Sequence, residues 1–519
     1  MRNISLKLPA VILLSIGAFL RLYKLGYSNL QGDEVKAMGF LTGEKDFYTF
    51  LLNNSKGPGQ YIITRFTYLF AQNLERQEFL FRLPFALAGI GVLLVIYLTV
   101  RKYFSNGAAI ISLLLLSNTG LLIAFSRLTQ YQSFVMLASA ISYLFINHYL
   151  KNNAPKVLFL AGIAGSIGLL FHFDALSFII PIGIFLIIKK NLSGLKYYLL
   201  GLVPSFLFYI PYVLTETFRS TLKYIIFDRS ISYFHFDPVY YSLKLLSLYN
   251  SREYIIVLIF GFIVIMYQIL KSSKIPGKLL GLFFAAILVS RFLIQTQRRE
   301  LALLSLCIGV IMLIITVVSQ TQKSRHSNLK LYNTLWFLIS FSVYFLFLSK
   351  PLTHIYNFVI PMSILISIEL YEIYSKNKIL IILFLAVSFI SSSSFNFQAF
   401  IDTSKEYPWE SKNYIFGSMY QGITEGEVVR GIFGFSYYRS LEQIPVEIEK
   451  INNKGLEIKN YYSNEELAEL GFYLQGYNWT TQTPYFYINV HNTNDKNIPE
   501  KFNFEPVSRT KNFEIYLVN

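Results

Sequence analysis

The sequence has only one cysteine, Cys307, and few charged side chains. A single cysteine excludes a disulfide bond within the 519-residue chain and a metal site built from several thiolates. Charged residues make up 15% of the chain, against about 25% in soluble domains, while 54% of the residues are hydrophobic. We find no internal repeat, no low-complexity tract and no glycine-rich nucleotide-binding motif. The composition therefore excludes an ordinary soluble protein, and no motif supports nucleotide binding.

Long apolar segments fill the first three quarters of the chain. A helix needs about 20 apolar residues to cross roughly 30 Å of hydrocarbon, and thirteen segments close to that length occur. The sequence therefore predicts a polytopic all-α membrane protein with about 13 transmembrane helices. The predicted spans are residues 6–23, 82–100, 107–125, 131–150, 156–173, 175–189, 196–214, 253–270, 279–295, 301–319, 331–348, 355–374 and 378–395.

The positive charges are distributed unevenly between the loops. The net charge of +16 resides mostly in short loops, which is the pattern of membrane topology rather than of a nucleic-acid-binding surface. Seven alternate loops each hold at least two lysines or arginines and no acid, whereas the short loops between them hold fewer cations. The positive-inside rule then places the amino terminus in the cytoplasm and, after thirteen crossings, the carboxyl terminus outside. We expect a multi-pass protein of the cytoplasmic (inner) membrane, with no nucleic-acid partner.

Two of the predicted outward loops are long, residues 24–81 and 215–252. The first contains an apolar stretch, 58–74, that is long enough to be considered a span. Counting it as one would invert every later loop and place the cations outside. We therefore predict a surface-lying or re-entrant helix there.

The chain turns polar after its last predicted span. Short alternating runs at 485–490 and 513–518 are typical of strands, and residues 462–475 predict a short helix. The sequence therefore predicts two parts: a transmembrane catalytic domain, residues 1–396, and a small extracytoplasmic α/β domain, residues 397–519.

In this topology, the unusual ionisable residues gather at the outward ends of the spans and in the outward loops. Loops are polar in any protein, so one such residue means little. Ionisable groups close to a bilayer are nevertheless costly and commonly line substrate or ion paths. The collection favours an outward-facing cavity. Its members are Asp33, Glu34, Lys56, Arg127, His172, Asp174, Asp228, His235, Asp237, Arg298, Arg299 and His354.

The adjacent acids Asp33 and Glu34 are the most informative of these residues. One explanation is a helix amino terminus, where acids are favoured by the helix dipole. The other is catalysis, because the same loop returns through Lys56, followed by Gly57-Pro58-Gly59. A carboxylate that accepts a proton and a lysine that holds a phosphate are the two groups required for displacement at a glycosyl phosphate.

Several short motifs occur in a characteristic order along the first part of the chain. They are Arg21-Leu-Tyr-Lys-Leu-Gly26, Gly32-Asp-Glu34, Lys56-Gly-Pro-Gly-Gln-Tyr61, Arg82-Leu-Pro-Phe-Ala86, Ser126-Arg127 with Tyr131, and His172. In these motifs the chain resembles bacterial GT-C glycosyltransferases of the protein-mannosyltransferase and aminoarabinose-transferase type. The resemblance covers roughly residues 10–190, and the later spans agree only in number and topology.

The resemblance implies roles for individual residues. Asp33 stands where the family has its proposed catalytic base, and Lys56 where a lysine contacts the lipid phosphate. Gly57 departs from the Lys-Pro-Pro pattern of relatives, and a second departure, in the sequence that ends at Pro361, leaves the second phosphate contact open. The candidates for that contact are Arg127, Arg298, Arg299 and His354.

The resemblance also implies a reaction. A sugar would move from a polyprenyl-phosphate donor to a hydroxyl or phosphate of a lipid, glycan or protein acceptor, with inversion, while Glu34 orients Asp33 or the acceptor. This scheme requires no cofactor and no metal, although Asp33 and Glu34 could together hold a divalent cation. The motif around His172 and Asp174 makes a poor metal site by itself. We expect the substrate to contact Tyr131, His172, Asp174, His235 and Tyr356.

Two alternatives remain open at the level of sequence. A ligase or polymerase that uses a lipid-linked oligosaccharide would share the outward-facing chemistry. A secondary transporter or flippase would also have many spans, but transporters usually carry ionisable residues in the middle of broken, repeated helices. The charges here gather at one face and no repeat is visible, which favours an enzyme.

Overall fold

The chain is described by a computed structural model. Its helices and strands show how the sites predicted above are positioned. The structure describes residues 8–39, 46–71, 77–224, 238–271, 325–347, 352–374, 377–404, 412–419, 434–436, 438–456, 458–464, 467–491 and 505–518.

The described residues are mostly helical, with a small sheet near the carboxyl terminus. The helices are α1 (Leu8–Leu22), α2 (Gly32–Lys36), α3 (Phe47–Leu52), α4 (Pro58–Ala71), α5 (Gln77–Tyr103), α6 (Asn106–Asn118), α7 (Gly120–Ser126), α8 (Gln132–Asn152), α9 (Leu158–Phe171), α10 (Leu176–Ile188), α11 (Leu192–Val213), α12 (Glu216–Lys223), α13 (Pro238–Tyr249), α14 (Arg252–Lys271), α15 (Arg325–Phe341), α16 (Tyr356–Tyr374), α17 (Lys378–Asn396), α18 (Ile444–Asn452) and α19 (Leu467–Tyr473). The strands are β1 (Asn413–Tyr414), β2 (Gly417–Ser418), β3 (Asn460–Ser463), β4 (Asn478–Trp479), β5 (Tyr485–Val490), β6 (Ser508–Arg509) and β7 (Phe513–Val518).

Helices occupy eleven of the thirteen predicted spans, and the other two, 279–295 and 301–319, lie outside the described residues. Within the described part of the chain, four helices are long and apolar enough to cross a membrane. The number rises to six if the bent pairs α6–α7 and α11–α12 each count as one span. A helical membrane protein is thus confirmed, while the total of 13 spans and their orientation stay predictions.

The outer faces of several helices carry exposed apolar side chains. Leu207 on α11 is 75% exposed and Ile379 on α17 is 76% exposed. Large apolar surfaces of this kind are typical of contact with lipid rather than water. Where α9 meets α11, a side chain on Gly162 or Gly201 would overlap with the backbone of the opposite helix. Small residues therefore allow close helix packing, as is common in membrane proteins.

The break between α6 and α7 directs the chain towards the functional region. The two helices meet at Thr119 with a bend of 63°. The Thr119 hydroxyl lies 2.9 Å from the Leu115 carbonyl and 2.6 Å from the Tyr254 hydroxyl, so the break is hydrogen-bonded. A side chain at Gly120 would overlap with the carbonyl of Tyr249. This bend sets the direction of α7 and of the loop that follows it.

The carboxyl-terminal region contains a five-stranded mixed sheet in the order β4-β3-β5-β7-β6. Strands β5 and β7 coincide with the two predicted strands and pair antiparallel. The predicted helix at 462–475 is partly wrong, because Asn460–Ser463 forms strand β3, parallel to β5. Tyr461 is buried in the core of the sheet, so tertiary pairing outweighs the local helix signal there. The helix begins only at Leu467.

This region packs against the first long loop. The ring of Phe472, in α19, packs with Leu30, Val35 and Phe81 in a small apolar cluster. The residues just before α2 are therefore held by a part of the chain more than 400 residues away.

Candidate active site

Asp33 lies in the first turn of the short helix α2. Its side chain is 32% exposed. One carboxylate oxygen lies 3.4 Å from Lys36 Nζ and the other lies 3.5 Å from Lys56 Nζ. Lys36 is itself 62% exposed, so water screens its attraction. Asp33 therefore keeps an accessible face together with two cationic neighbours.

Glu34, the next residue, faces the opposite way and is fully buried. The Arg82 guanidinium donates to its two carboxylate oxygens at 2.8 and 2.7 Å. The backbone N–H of Thr129 also donates to Glu34, at 2.9 Å. Arg82 gives its remaining N–H groups to three carbonyl oxygens between residues 25 and 29. All five guanidinium donors are thus used, and the pair joins α2, α5 and the loop after α7.

Because both oxygens of Glu34 are already bonded, the acid pair does not present two free carboxylates. Glu34 could join Asp33 as a metal ligand only by giving up Arg82. Leaving a buried guanidinium without its partner is strongly unfavourable. The geometry thus gives Glu34 a positioning role.

Lys56 ends the turn between α3 and α4 and points towards Asp33. Its side chain is 19% exposed, and among the described residues its buried Nζ has no hydrogen-bond partner apart from the long ion pair with Asp33. Gly57 allows the turn to lie close to the end of α9, because a side chain at position 57 would overlap with the Leu170 carbonyl. The departure from the family's Lys-Pro-Pro pattern therefore has a steric reason in this chain.

The charges of Asp33 and Lys56 influence each other. Burial alone would raise the pKa of the Asp33 carboxyl, but Lys56 and Lys36 together outweigh it and hold the pKa below its usual range. Burial also lowers the pKa of the Lys56 ammonium, and Asp33 offsets this only in part. Asp33 is therefore ionised, and Lys56 is a buried cation that another anion would stabilise.

Tyr131 forms the wall beside Lys56. The Lys56 Nζ lies 5.8 Å from the centre of the Tyr131 ring, within the range of a cation–π contact. The same ring stacks on His172 with the ring centres 3.9 Å apart. Tyr131 precedes α8 and His172 follows α9, so the loops at these helix ends meet here.

Asp174 contacts His172 and is buried, with 7% of its side chain exposed. His172 Nδ1 lies 3.2 Å from one carboxylate oxygen, and His354 Nδ1 lies 2.6 Å from the other. The hydroxyls of Tyr356 and Tyr344 donate to the same carboxylate, at 2.9 and 3.3 Å. The start of α16 is thus tied to the turn between α9 and α10.

The structure places most of the predicted site residues in one continuous group, which we call the site cluster. Arg127 lies apart from this group, because its guanidinium donates to the carbonyls of Leu20, Tyr23 and Lys24. Arg298, Arg299 and His235 lie outside the described residues. The site cluster consists of Asp33, Lys56, Tyr131, His172, Asp174, His354 and Tyr356.

Two residues with a clear part in this arrangement were not among the predicted site residues. Arg82 was noted only as part of a motif, although an arginine beside apolar residues at a span's end is a signal for a buried acid partner. Tyr344 lies within an apolar run and gives no signal in the sequence. Its hydrogen bond to Asp174 depends on tertiary packing.

The site cluster combines an ionised carboxylate, a buried ammonium and a wall of aromatic rings. A carboxylate with an exposed face can accept a proton. A buried lysine without hydrogen bonds attracts an anionic group. Aromatic rings with hydroxyl and imidazole groups offer both apolar contact and hydrogen bonds to a bound molecule.

Comparison with known proteins gives an independent assignment. Residues 58–214 match the family described as dolichyl-phosphate-mannose-protein mannosyltransferase. That segment begins two residues after Lys56 and contains Tyr131, His172 and Asp174. No curated protein sequence matches the chain.

Solved structures were compared with this chain, and ArnT shares its fold at low sequence identity. ArnT from Cupriavidus metallidurans, bound to undecaprenyl phosphate, is 11% identical with a TM-score of 0.53, and the match covers 98% of this chain and 97% of that one. The oligosaccharyltransferase of Archaeoglobus fulgidus in its apo form is 12% identical with a TM-score of 0.46, over 90% of this chain and 63% of that one. The resemblance predicted from the motifs is confirmed: the chain resembles GT-C glycosyltransferases of the protein-mannosyltransferase and ArnT type.

Proposed function

We propose that this protein is a membrane glycosyltransferase that moves a sugar from a polyprenyl-phosphate-linked donor to a hydroxyl or phosphate group of an acceptor. The observation that carries this proposal is the pairing of Asp33 with Lys56 at 3.5 Å. A partly exposed base stands next to a buried ammonium with no hydrogen-bond partner among the described residues. These are the two groups that transfer from a glycosyl phosphate requires.

In the proposed reaction with a hydroxyl acceptor, Asp33 removes the proton as the acceptor oxygen attacks the anomeric carbon. The bond between that carbon and the phosphate oxygen breaks, and the polyprenyl phosphate leaves with the bonding electrons. A single displacement inverts the anomeric configuration. Lys56 stabilises the charge on the leaving phosphate. No cofactor takes part in these steps.

Binding of the donor would itself prepare the base. A phosphate next to Lys56 competes with Asp33 for the ammonium, and the charge of Lys56 is the largest single influence that lowers the pKa of Asp33. Once the phosphate shares Lys56, the pKa of Asp33 rises and the carboxylate becomes a better proton acceptor. The free enzyme would thus keep Asp33 paired and less basic until the donor arrives.

The remaining residues of the site cluster would shape the sugar pocket. Tyr131 would lie beside both the donor phosphate and the sugar, because its ring is close to Lys56 and stacks on His172. Asp174 holds His172 in place from behind, together with His354 and Tyr356. Glu34 would act indirectly, by fixing the backbone of α2 through Arg82.

The fold supports a lipid-linked donor. The similar structure of ArnT was solved with undecaprenyl phosphate bound, and the matching family is described by its use of dolichyl-phosphate-mannose. The cation distribution favours a site on the outer side of the cytoplasmic membrane, with the carboxyl-terminal domain on the same side. Nucleotide sugars are not supplied on that side, so a sugar activated on a membrane lipid fits the predicted location.

The proposal is tested by donor consumption. Purified protein in lipid is supplied with a panel of radiolabelled polyprenyl-phosphate sugars, with membrane lipid extract as acceptor, and release of the lipid phosphate is measured. We expect one donor to be consumed by the wild type and not by Asp33→Asn. Asp46→Asn is the matched control, because it makes the same change in the same loop at a residue that caps α3, and asparagine caps equally well.

Each other outcome has a definite meaning. Near-normal transfer by correctly folded Asp33→Asn would remove Asp33 as the base. Failure to consume any single-sugar donor would favour a ligase or polymerase that uses lipid-linked oligosaccharides. A flux measurement in sealed vesicles would then test the transporter alternative.

A further inference from the structure

The Asp174 carboxylate is buried, and a positive charge close to it would stabilise it. Its ion-pair partners among the described residues are the imidazoles of His172 and His354 and not a lysine or arginine. Lys56 contacts the Tyr131 ring, which stacks on His172, and forms its ion pair with Asp33. Buried charges in proteins are paired or coordinate metals. The cation at Asp174 is therefore either a proton on an imidazole or a metal ion.

The geometry around His172 distinguishes these two cases in part. Its Nδ1 lies 3.1 Å from the backbone N–H of Asp174, to which it must present a lone pair. The same Nδ1 lies 3.2 Å from a carboxylate oxygen of Asp174, to which it would have to present a proton. It cannot do both. With the lone pair present, Nδ1 and the carboxylate oxygen face each other as two acceptors. A metal ion bound by that lone pair and by the carboxylate would replace the backbone hydrogen bond and remove the repulsion.

We propose that His172, Asp174 and His354 form a binding site for one divalent metal ion of the zinc type. Each residue offers one ligand atom, and these three atoms lie within 4.8 Å of one another. Ligand atoms around tetrahedral zinc are about 3.3 Å apart, as follows from bonds of about 2.0–2.1 Å. His354 Nδ1 and His172 Nδ1 lie 2.6 and 3.2 Å from different oxygens of the Asp174 carboxylate. Small side-chain rotations would bring one ligand atom of each residue to the zinc spacing.

The surroundings of the three residues are those of a supported metal site. Metal-binding carboxylates are usually held by further hydrogen bonds, and the Tyr356 and Tyr344 hydroxyls donate to Asp174. The backbone at His354 is fixed in turn, because the Asn357 side-chain amide donates to its carbonyl at 2.9 Å. The three residues come from chain segments 180 residues apart. A metal ion would therefore join the turn after α9 to the start of α16.

The donor set indicates the class of ion. Two imidazoles and one carboxylate suit zinc and neighbouring transition metals, whereas magnesium and calcium prefer oxygen ligands. His172 stacks on Tyr131, which lies next to Lys56. The ion would thus hold His172, and through it Tyr131, in position without contacting Asp33 or Lys56. This inference concerns metal binding and does not depend on the proposed transfer reaction.

Metal content tests the proposal directly. Protein is purified without a polyhistidine tag, treated with a chelator, loaded with Zn²⁺, desalted and measured by plasma mass spectrometry and calorimetric titration. We expect about one zinc per chain in the wild type, with a higher unfolding temperature after loading. His172→Gln, His354→Gln and Asp174→Asn should each lose this ion and the temperature increase.

His491→Gln is the matched control, because His491 also lies beside a carboxylate, Glu514, but in the carboxyl-terminal sheet region. It should keep the full metal content. Tyr356→Phe retains all three ligands and should weaken zinc affinity by about 10–100-fold, which keeps the test informative if a ligand variant fails to fold. A wild type that binds no stoichiometric zinc, or equal zinc in wild type and correctly folded ligand variants, would overturn the proposal and identify an imidazolium as the cation.

Discussion

Two neighbouring acids in the first long loop have different surroundings. We call the exposed surroundings of Asp33 the open side of the loop, and the buried surroundings of Glu34 its sealed side. Asp33 is 32% exposed and faces two lysines, whereas Glu34 is fully buried against Arg82. Successive residues on a helix point about 100° apart, so adjacent acids reach different surroundings. Their chemistry differs because burial and partners, rather than residue type, decide whether a carboxylate can react.

The carboxyl-terminal region contacts the sealed side of the loop. The Tyr473 hydroxyl accepts from the Leu30 N–H at 3.0 Å and donates to Glu78 at 2.9 Å. Asn29 donates to Glu442 and accepts from the Arg439 backbone N–H. These contacts surround the residues just before α2. We infer that the sealed side fixes the position of Asp33 while the open side carries out the reaction.

The largest expected effect is on the open side. Asp33→Asn should lower the rate of sugar transfer by about 10²–10⁴-fold, because it removes the proton acceptor without changing the side-chain shape. Its unfolding temperature should fall less than that of Glu34→Gln, because Asp33 is partly exposed and its contact with Lys56 is long, at 3.5 Å. Transfer rate and thermal unfolding in the same detergent check both statements. A variant that loses stability and activity together would assign Asp33 to the sealed side.

Glu34→Gln should show the converse behaviour. The change leaves the buried Arg82 guanidinium without a negative partner, and breaking a buried ion pair costs about 3–5 kcal/mol. We expect a lower unfolding temperature and poor recovery of folded protein. The double variant Glu34→Gln with Arg82→Met should regain part of the stability, because it removes the unpaired charge. An unfolding temperature of Glu34→Gln equal to that of the wild type would contradict the assignment of Glu34 to the sealed side.

Lys56→Met should lower transfer by about 10²–10³-fold, as the loss of one stabilising donor does elsewhere. It should also move the acidic limb of the pH–activity profile, where activity falls as Asp33 becomes protonated. Asp33 must be ionised to act, and its pKa lies below the usual range near Lys56 and Lys36. Activity of the wild type should therefore fall only at a pH below the ordinary titration range of an aspartate carboxyl.

Without Lys56 the largest lowering influence on the pKa of Asp33 is gone while burial still raises it. The limb of kcat/KM in Lys56→Met should consequently move to higher pH. Lys36→Met should also move it to higher pH, because Lys36 lowers the pKa of Asp33 through its charge and its hydrogen bond. Identical acid limbs in all three proteins would show that another group controls the profile.

The smallest expected effect comes from the contact between the two regions. Tyr473→Phe removes the hydroxyl that holds Leu30 and Glu78 and leaves a backbone N–H unsatisfied, which costs about 1–3 kcal/mol. We expect a several-fold loss of kcat/KM with the sheet intact. Tyr462→Phe is the control, because this tyrosine lies on β3 and is 38% exposed. Equal activity of both variants would show that the contact does not position α2.

Part of this arrangement could be predicted from the sequence. Apolar length predicted the helices, and alternation predicted β5 and β7, because both signals are local. The order of motifs also singled out Asp33 and Lys56. The helix predicted at 462–475 began too early, because Tyr462 and Ser463 belong to β3, which pairs with β5 more than twenty residues later. The opposite environments of Asp33 and Glu34 could not be predicted, since adjacent acids look alike in a sequence.

By itself, the sequence determined that this is a helical membrane protein with an acid and a lysine in its first long loop. Those features depend on residue composition and on spacing along one stretch of chain. Only the tertiary structure decided that Glu34 is sealed by Arg82 and that Asp174 meets His354 across 180 residues. Such contacts depend on which helix ends pack together, and packing is set by the whole chain rather than by any local pattern.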